Sequence, residues 1–126
     1  MNNKPLSPKN QFRLAIVGHG FVGQAVEYAF THPLVKSYAV DPKYNTSIDD
    51  LKEFSPHLVF VCAPTPQGED GKVDATIVID AVQKSLIHTD ALVVVKSTIT
   101  PDVVDRIYSS MDSKHIDRFV YNPEFL

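Results

Sequence analysis

The sequence predicts an α/β protein, a doubly wound parallel sheet with helices on its faces, in a single domain. Three observations carry that reading. From Phe12 onward, short β-favouring apolar runs alternate with longer stretches of helical period. The runs at 58–62 and 92–95 (LVFVC and LVVV) are continuously apolar, as strands covered on both faces are. A glycine-rich turn joins the first run to the first helical stretch.

Five strands are expected, over residues 13–17, 37–40, 58–62, 92–95 and 118–121. The first helix opens after Gly20 and carries Val22, Ala25, Val26, Ala29 and Phe30 as its buried stripe. A short helix starts after Ser47, whose hydroxyl caps the first turn, with Asp49 and Asp50 set against the helix dipole. Asp74 caps the third, in which Ile77, Val78, Ala81, Val82 and Leu86 form the stripe. The fourth has Thr100 as cap and Pro101 at the first helical position, where its missing N–H costs nothing.

Composition narrows the function classes. With 44% apolar and 21% charged residues the chain has material for a core, and 126 residues suffice for one domain. Residues 1–11 are almost without apolar side chains and read as a disordered tail, leaving 12–126 as the folded domain. Twelve basic and fifteen acidic residues are interspersed, which makes nucleic acid and anionic membrane poor candidates as partners. No run approaches the roughly 18 apolar residues needed to cross a bilayer, and no secretory leader is recognisable. One cysteine, Cys62, permits no internal disulfide, and no His or Cys spacing suggests a metal, so a reducing cytoplasmic setting is expected. Cys62 closes an apolar strand and reads as a core residue of low reactivity.

The segment that carries chemistry is Gly18-His19-Gly20-Phe21-Val22-Gly23, directly after a strand and opening a helix. In a Rossmann-type dinucleotide fold the first glycine permits the tight turn, the second lets the backbone approach a pyrophosphate, and the third packs helix on strand. The helix N-terminus then faces the phosphates. Asp41 ends the second strand, twenty-three residues after Gly18, near the spacing of an acid that hydrogen-bonds a ribose 2′-hydroxyl. Such an acid repels a 2′-phosphate, so the expected cofactor is NAD. His19 belongs to the cofactor loop by position, but its side chain reads as a tolerated loop group. His32 and His88 sit near helix ends, where a dipole role is enough. Ala63-Pro64-Thr65-Pro66, Lys96-Ser97-Thr98 and Asn122-Pro123-Glu124 each follow a strand, and so join the glycine loop and Asp41 at the sheet's carboxyl edge.

The series GHGFVG, VD, CAPTP, KSTITP and NPEFL resembles the N-terminal domain of the UDP-glucose and GDP-mannose dehydrogenases, from about Phe12 to the last residue. The family oxidises the primary alcohol of a nucleotide sugar to a carboxylate, using two NAD molecules in succession. The resemblance implies that Gly18, Gly20, Gly23 and Asp41 hold the adenosine half of NAD, with Phe21, Val22, Ala63, Pro64, Thr65 and Ser97 along its path. It implies that Thr98 positions a water and that Glu124 takes part in acid–base chemistry and in hydrolysis of a covalent intermediate. Where the family often has an arginine near the adenine, this chain has Pro42-Lys43-Tyr44, so Lys43 is counted among the expected cofactor-binding residues while the adenine contacts stay open. Asp102 stands where glycine is common and Tyr121 where a small residue is usual, so a differently shaped cleft is expected.

The family's catalytic lysine, asparagine, cysteine and second aspartate lie in later segments and have no counterpart here. The expectation is therefore a domain truncated from a longer enzyme, inactive alone, whose apolar end at Phe125-Leu126 follows directly on the last motif. A nucleotide sugar of the UDP-glucose type is the expected substrate, and a homodimer is expected only of the full-length enzyme. The alternatives are a stand-alone NAD-binding or redox-sensing module, which leaves the glutamate of NPEFL unexplained, and another sugar or β-hydroxyacid dehydrogenase, which KSTITP and NPEFL together disfavour.

Overall fold

The computed structural model describes residues 10–123. Strand β1 (Phe12–Val17) leads into helix α1 (Phe21–Ala29) and β2 (Val35–Val40). Two 3-10 turns, Pro42–Tyr44 and Ile48–Asp50, run into the single-turn α2 (Leu51–Phe54). Then follow β3 (Leu58–Val61), α3 (Thr76–His88), β4 (Leu92–Val95), α4 (Pro101–Ser110), the short α5 (Ser113–Ile116) and β5 (Phe119–Tyr121). All five expected strands form, within two residues of their expected bounds. Residues 1–9 of the expected tail lie outside the described residues, while the Gln11 side chain donates to the carbonyl of Pro33 at 3.1 Å.

The strands pair in parallel in the order β2-β1-β3-β4-β5. Connections leave β1 towards β2 and leave β3 towards β4, so the switch point lies between β1 and β3. The registers Val17↔Val40, Val17↔Val61, Val61↔Val95 and Val95↔Tyr121 bring all five carboxyl ends flush. The residues that follow, Asp41, Gly18, Cys62, Lys96 and Asn122, therefore form one row across the sheet's edge.

The core lies on one face of this sheet. Val59, Val61, Val93, Val95 and Phe119 pack with Val78, Ala81, Val82 and Leu86 of α3, Val103 and Ile107 of α4, and Leu51 of α2. Each fully buried aliphatic side chain contributes about 1.5 to 3 kcal/mol. Leu14, Ile16 and Val94, alternating with these along their strands, are buried on the opposite face. There the coverage expected on both sides is only partial: Leu58 and Phe60 are half-buried and Leu92 is 44% exposed. Helix α1 packs chiefly over β1, so of its expected buried stripe Val22 and Val26 are half-buried while Ala25, Ala29 and Phe30 are exposed. Ile77, expected in the α3 stripe, is also exposed, and Ser85 takes the buried place instead.

The helix starts hold in part. Ser47 and Asp50 form a reciprocal capping box, Ser47 Oγ accepting from the N–H of Asp49 and Asp50 Oδ2 from the N–H of Ser47. Asp74 accepts from the N–H of Thr76, but Ala75 holds the N-cap position. Thr100 and Pro101 stand where expected, yet the Thr100 hydroxyl bonds the carboxylate of Asp102 in place of the helix backbone. That pairing uses the aspartate that departs from the family pattern.

His57 ties the start of β3 to β1. Its Nδ1 accepts from the N–H of Arg13 at 2.9 Å, its own N–H donates to the Arg13 carbonyl, and its ring stacks on Phe12. Desolvation, and then the Arg13 charge, hold its pKa below the ordinary histidine value of 6.5. A folded-state pKa below the unfolded one means that the contribution is complete above pH 6.5 and is lost as pH falls through the folded value. Chemical denaturation at stepped pH should show stability falling below about pH 6.5. His57→Asn, which keeps an acceptor near Nδ1 but cannot titrate, should flatten that acid limb.

Candidate cofactor site at the switch point

The three glycines of the loop after β1 meet three different demands. Gly18 has φ +93°, a conformation that side chains resist, and a Cβ there would lie 2.6 Å from the carbonyl oxygen of Cys62. A Cβ on Gly23 would lie 2.1 Å from the carbonyl oxygen of Gly18, so only hydrogen fits between α1 and the turn. A Cβ on Gly20 would meet nothing within 4 Å. The space over Gly20 is thus open, and the first turn of α1 has no side-chain cap and no acidic residue. Orphan N–H groups facing open space favour an anion by hydrogen bonding and by the helix dipole.

Asp41 stands beside this loop in the row of strand ends. Its Oδ2 accepts from the N–H of His19 at 2.8 Å and its Oδ1 from the N–H of Lys43 at 3.1 Å. These two backbone donors, His19 first, hold its carboxyl below the usual range, and the Lys43 charge adds to them. Asp41 is a carboxylate at neutral pH, and each oxygen keeps acceptor capacity for a hydroxyl. Its own N–H is satisfied by Thr46 Oγ1, which donates in turn to the carbonyl of Ala39.

Two cavities meet here. One, of about 510 Å³, has Val17, Val40, Ile48, Ile77 and Ala81 among its walls, with Asp80 and Lys84 at its polar side. The other, of about 610 Å³, includes Gly20, Phe21, Val22, Thr65, Ser97 and Thr98. Gly18, Asp41, Ala63 and Pro64 line both. An extended ligand would lie with one end between apolar walls, its middle over Gly20 and its far end at Thr98. That order, flat apolar group, ribose acceptor, anion cradle, second polar pocket, fits a dinucleotide.

Of the expected site residues, Gly18, His19, Gly20, Phe21, Val22, Asp41, Ala63, Pro64, Thr65, Ser97 and Thr98 line this cleft. Ser97 donates to the carbonyl of Ala63 at 2.7 Å, joining the loops after β3 and β4. Gly23 lies beneath, fully engaged in packing. Lys43 lines neither cavity: its ammonium donates to the His19 carbonyl at 2.5 Å and lies 5.2 Å from the Tyr44 ring. Glu124 lies outside the described residues. Cys62 corrects the core reading, because β3 ends at Val61 and Cys62 is half-buried in the wall of the second cavity.

Three features escaped the sequence. Ile77 lines the first cavity, one turn of α3 from its core residues. Lys96 donates to Asn122 Oδ1 at 2.7 Å, joining two strand ends of the row. The Tyr121 hydroxyl accepts from the N–H of Ile99 and donates to its carbonyl, bracing the loop that carries Thr98. Tyr121's departure from the family pattern was the only signal of this brace. Among the described residues no cluster of side chains could hold a metal, and no helix is long and apolar enough to cross a membrane.

The sequence model for the NAD binding domain of the UDP-glucose/GDP-mannose dehydrogenase family matches residues 41–126. The chain belongs to this family. A UDP-glucose 6-dehydrogenase of Rickettsia felis is 38% identical over 86 residues, covering 66% of this chain and 18% of the relative. That of Rickettsia typhi is 38% identical over 71 residues, 54% of this chain and 16% of the relative. The matched segments thus cover less than a fifth of the length of either relative. Solved structures agree in fold: a GDP-mannose dehydrogenase from Pseudomonas aeruginosa superimposes with a TM-score of 0.64 at 19% identity, over 90% of this chain and 36% of that one. A UDP-glucose dehydrogenase from Pyrobaculum islandicum does so with 0.62 at 22% identity, over 92% and 36%. The cofactor of this family domain is NAD. The glycine loop lies N-terminal to the matched segment, so its assignment rests on the geometry above.

Proposed function

We propose that this chain supplies the NAD-binding half of a nucleotide-sugar dehydrogenase, which oxidises the 6-hydroxyl of a sugar of the UDP-glucose type to a carboxylate in two NAD-dependent steps. The observation that carries this reading is the flush row of strand ends, which joins a dinucleotide-shaped cleft to Ser97 and Thr98 at its far end. The names of the relatives support the substrate class.

NAD held in this cleft would supply a hydride acceptor, one molecule for the alcohol and a second for the aldehyde level. The chain's own residues act around it. Asp41 receives the adenosine ribose, and the 2′-phosphate of NADP would meet the negative charge of its carboxylate. Gly20 and the first turn of α1 hold the pyrophosphate. Thr98 orients a water at the far end, and Glu124 moves a proton to or from the reacting oxygen. Cys62 does not carry the covalent intermediate, because it abuts Gly18 under the cofactor path. The thiol and the second wall of the sugar site come from further polypeptide of the kind the longer relatives have. Positioning of the alcohol against the nicotinamide accounts for roughly 7 to 11 kcal/mol of such a barrier, and one wall alone cannot supply it.

Titration calorimetry should find NAD bound tighter than NADP by about tenfold or more, about 1.4 kcal/mol. Equal affinities would remove Asp41 from the ribose. The purified 126-residue chain with saturating NAD and UDP-glucose should form no NADH. Adding the remaining part of a family enzyme should restore NADH production, and Glu124→Gln should slow it without changing NAD affinity. Sustained NADH formation by the chain alone would overturn the division of the site proposed here. Tight NAD binding with no activity in either mixture would favour a binding module without chemistry.

A further inference from the structure

A residue between two glycines of a phosphate loop has no evident need of partners, yet His19 is only 9% exposed and every polar group it has is engaged. Its N–H donates to Asp41 Oδ2 at 2.8 Å. Its carbonyl accepts from Lys43 Nζ at 2.5 Å and from Gln24 Nε2 at 3.2 Å. Its Nδ1 lies 2.7 Å from the Tyr44 hydroxyl, and its Nε2 lies 3.1 Å from Glu27 Oε1. The other Glu27 oxygen accepts from Ser37 Oγ at 3.1 Å. A carboxylate only accepts, so in the neutral ring Nε2 carries the proton and the Tyr44 hydroxyl donates to Nδ1. Each ring nitrogen offers one hydrogen bond, and both are taken by protein, so the ring has nothing left for a ligand.

We propose that His19 is a positioning residue for the cofactor, a bolt that fastens the phosphate loop to the 42–44 turn on one side and to α1 and β2 on the other. The inference rests on the reading of this cleft as the NAD site. The same contacts orient Asp41, whose two oxygens are held by the N–H groups of His19 and Lys43. Lys43 acts in this arrangement through the loop's backbone, and Tyr44 through the ring. The consequence is a cleft preorganised at its two most demanding points, the anion cradle and the ribose acceptor, before any cofactor arrives. Preorganisation of this kind raises affinity by reducing the ordering that binding must impose.

The experiment measures NAD and NADP affinity by calorimetry, and melting temperature separately, on the 126-residue chain. His19→Ala should weaken NAD binding by about tenfold or more and reduce the preference over NADP, since Asp41 is no longer held. Tyr44→Phe keeps the ring but removes the hydroxyl, and should weaken NAD binding by about three- to fivefold with a small change in melting temperature. His19→Gln, which retains one donor and one acceptor at similar reach, should recover most of the affinity. The double variant should bind no more weakly than His19→Ala alone, the non-additivity expected of partners in one contact. The proposal fails if His19→Ala keeps wild-type affinity and cofactor preference. It fails equally if Tyr44→Phe binds normally and His19→Ala loses affinity only as it loses its fold. Absence of NAD binding by the wild-type chain would instead sink the cleft assignment, and this inference with it.

Discussion

Gly20→Val is expected to abolish measurable NAD binding while the chain still folds. The open space over Gly20 means that a branched side chain meets no protein atom, and φ −86° is a conformation that valine accepts. The folded state therefore loses only the small preference for glycine at an N-cap, about 1 kcal/mol at most. The ligand loses far more. The pyrophosphate has to approach the backbone where the new side chain projects, and the N–H groups of the first turn can no longer be reached. An affinity loss of about 100-fold or more, about 2.7 kcal/mol, should appear in calorimetry beside a melting temperature close to wild type. Unchanged affinity in a folded Gly20→Val chain would mean that the loop is not a phosphate cradle.

Gly23→Ala should do the reverse, failing first in stability. The added carbon would sit 2.1 Å from the Gly18 carbonyl oxygen and 3.2 Å from Ile16 Cγ2. The first of these is backbone and cannot rotate away, so α1 must lift from β1 or the turn must open. Overpacking of this severity costs about 3 kcal/mol, which for a domain of this size lowers the melting temperature by roughly 10 °C. Gly18→Ala should behave similarly, because it combines a positive φ with a Cβ 2.6 Å from the Cys62 carbonyl. A thermal scan separates the cases: a melting temperature of Gly23→Ala equal to wild type would show that helix and turn are less closely packed than described. Together the three variants assign one glycine to the ligand and two to the fold.

The errors of the sequence reading share a cause. Val22, Ala25, Val26, Ala29 and Phe30 have helical spacing, and spacing predicts a face but not what covers it. Here α1 lies chiefly over β1, and part of that stripe remains exposed. Cys62 looked internal because four apolar residues precede it, yet the strand stops one residue earlier and turns it into the cleft. Spacing also could not show that the Lys43 ammonium reaches back twenty-four residues to the loop carbonyl. Thr100 and Asp74 stood at the right helix starts, but alternative partners one or two residues away changed what their side chains bond.

The sequence by itself determined what depends on neighbours a few residues apart. The strand segments, the capping box of Ser47 and Asp50, the proline start of α4 and the glycine turn all follow from local sterics and local hydrogen bonds. The tertiary structure alone decided the strand order β2-β1-β3-β4-β5, and with it which carboxyl ends stand side by side. Only that order brings Tyr44 and Asp41 to His19, Ser97 to Ala63, and Tyr121 to Ile99, pairs separated by twenty-two to thirty-four residues. No periodicity encodes such pairs. Each forms only after the parallel crossovers have closed long stretches of chain around a common core, so the cleft is a property of the packed sheet, not of the segments that line it.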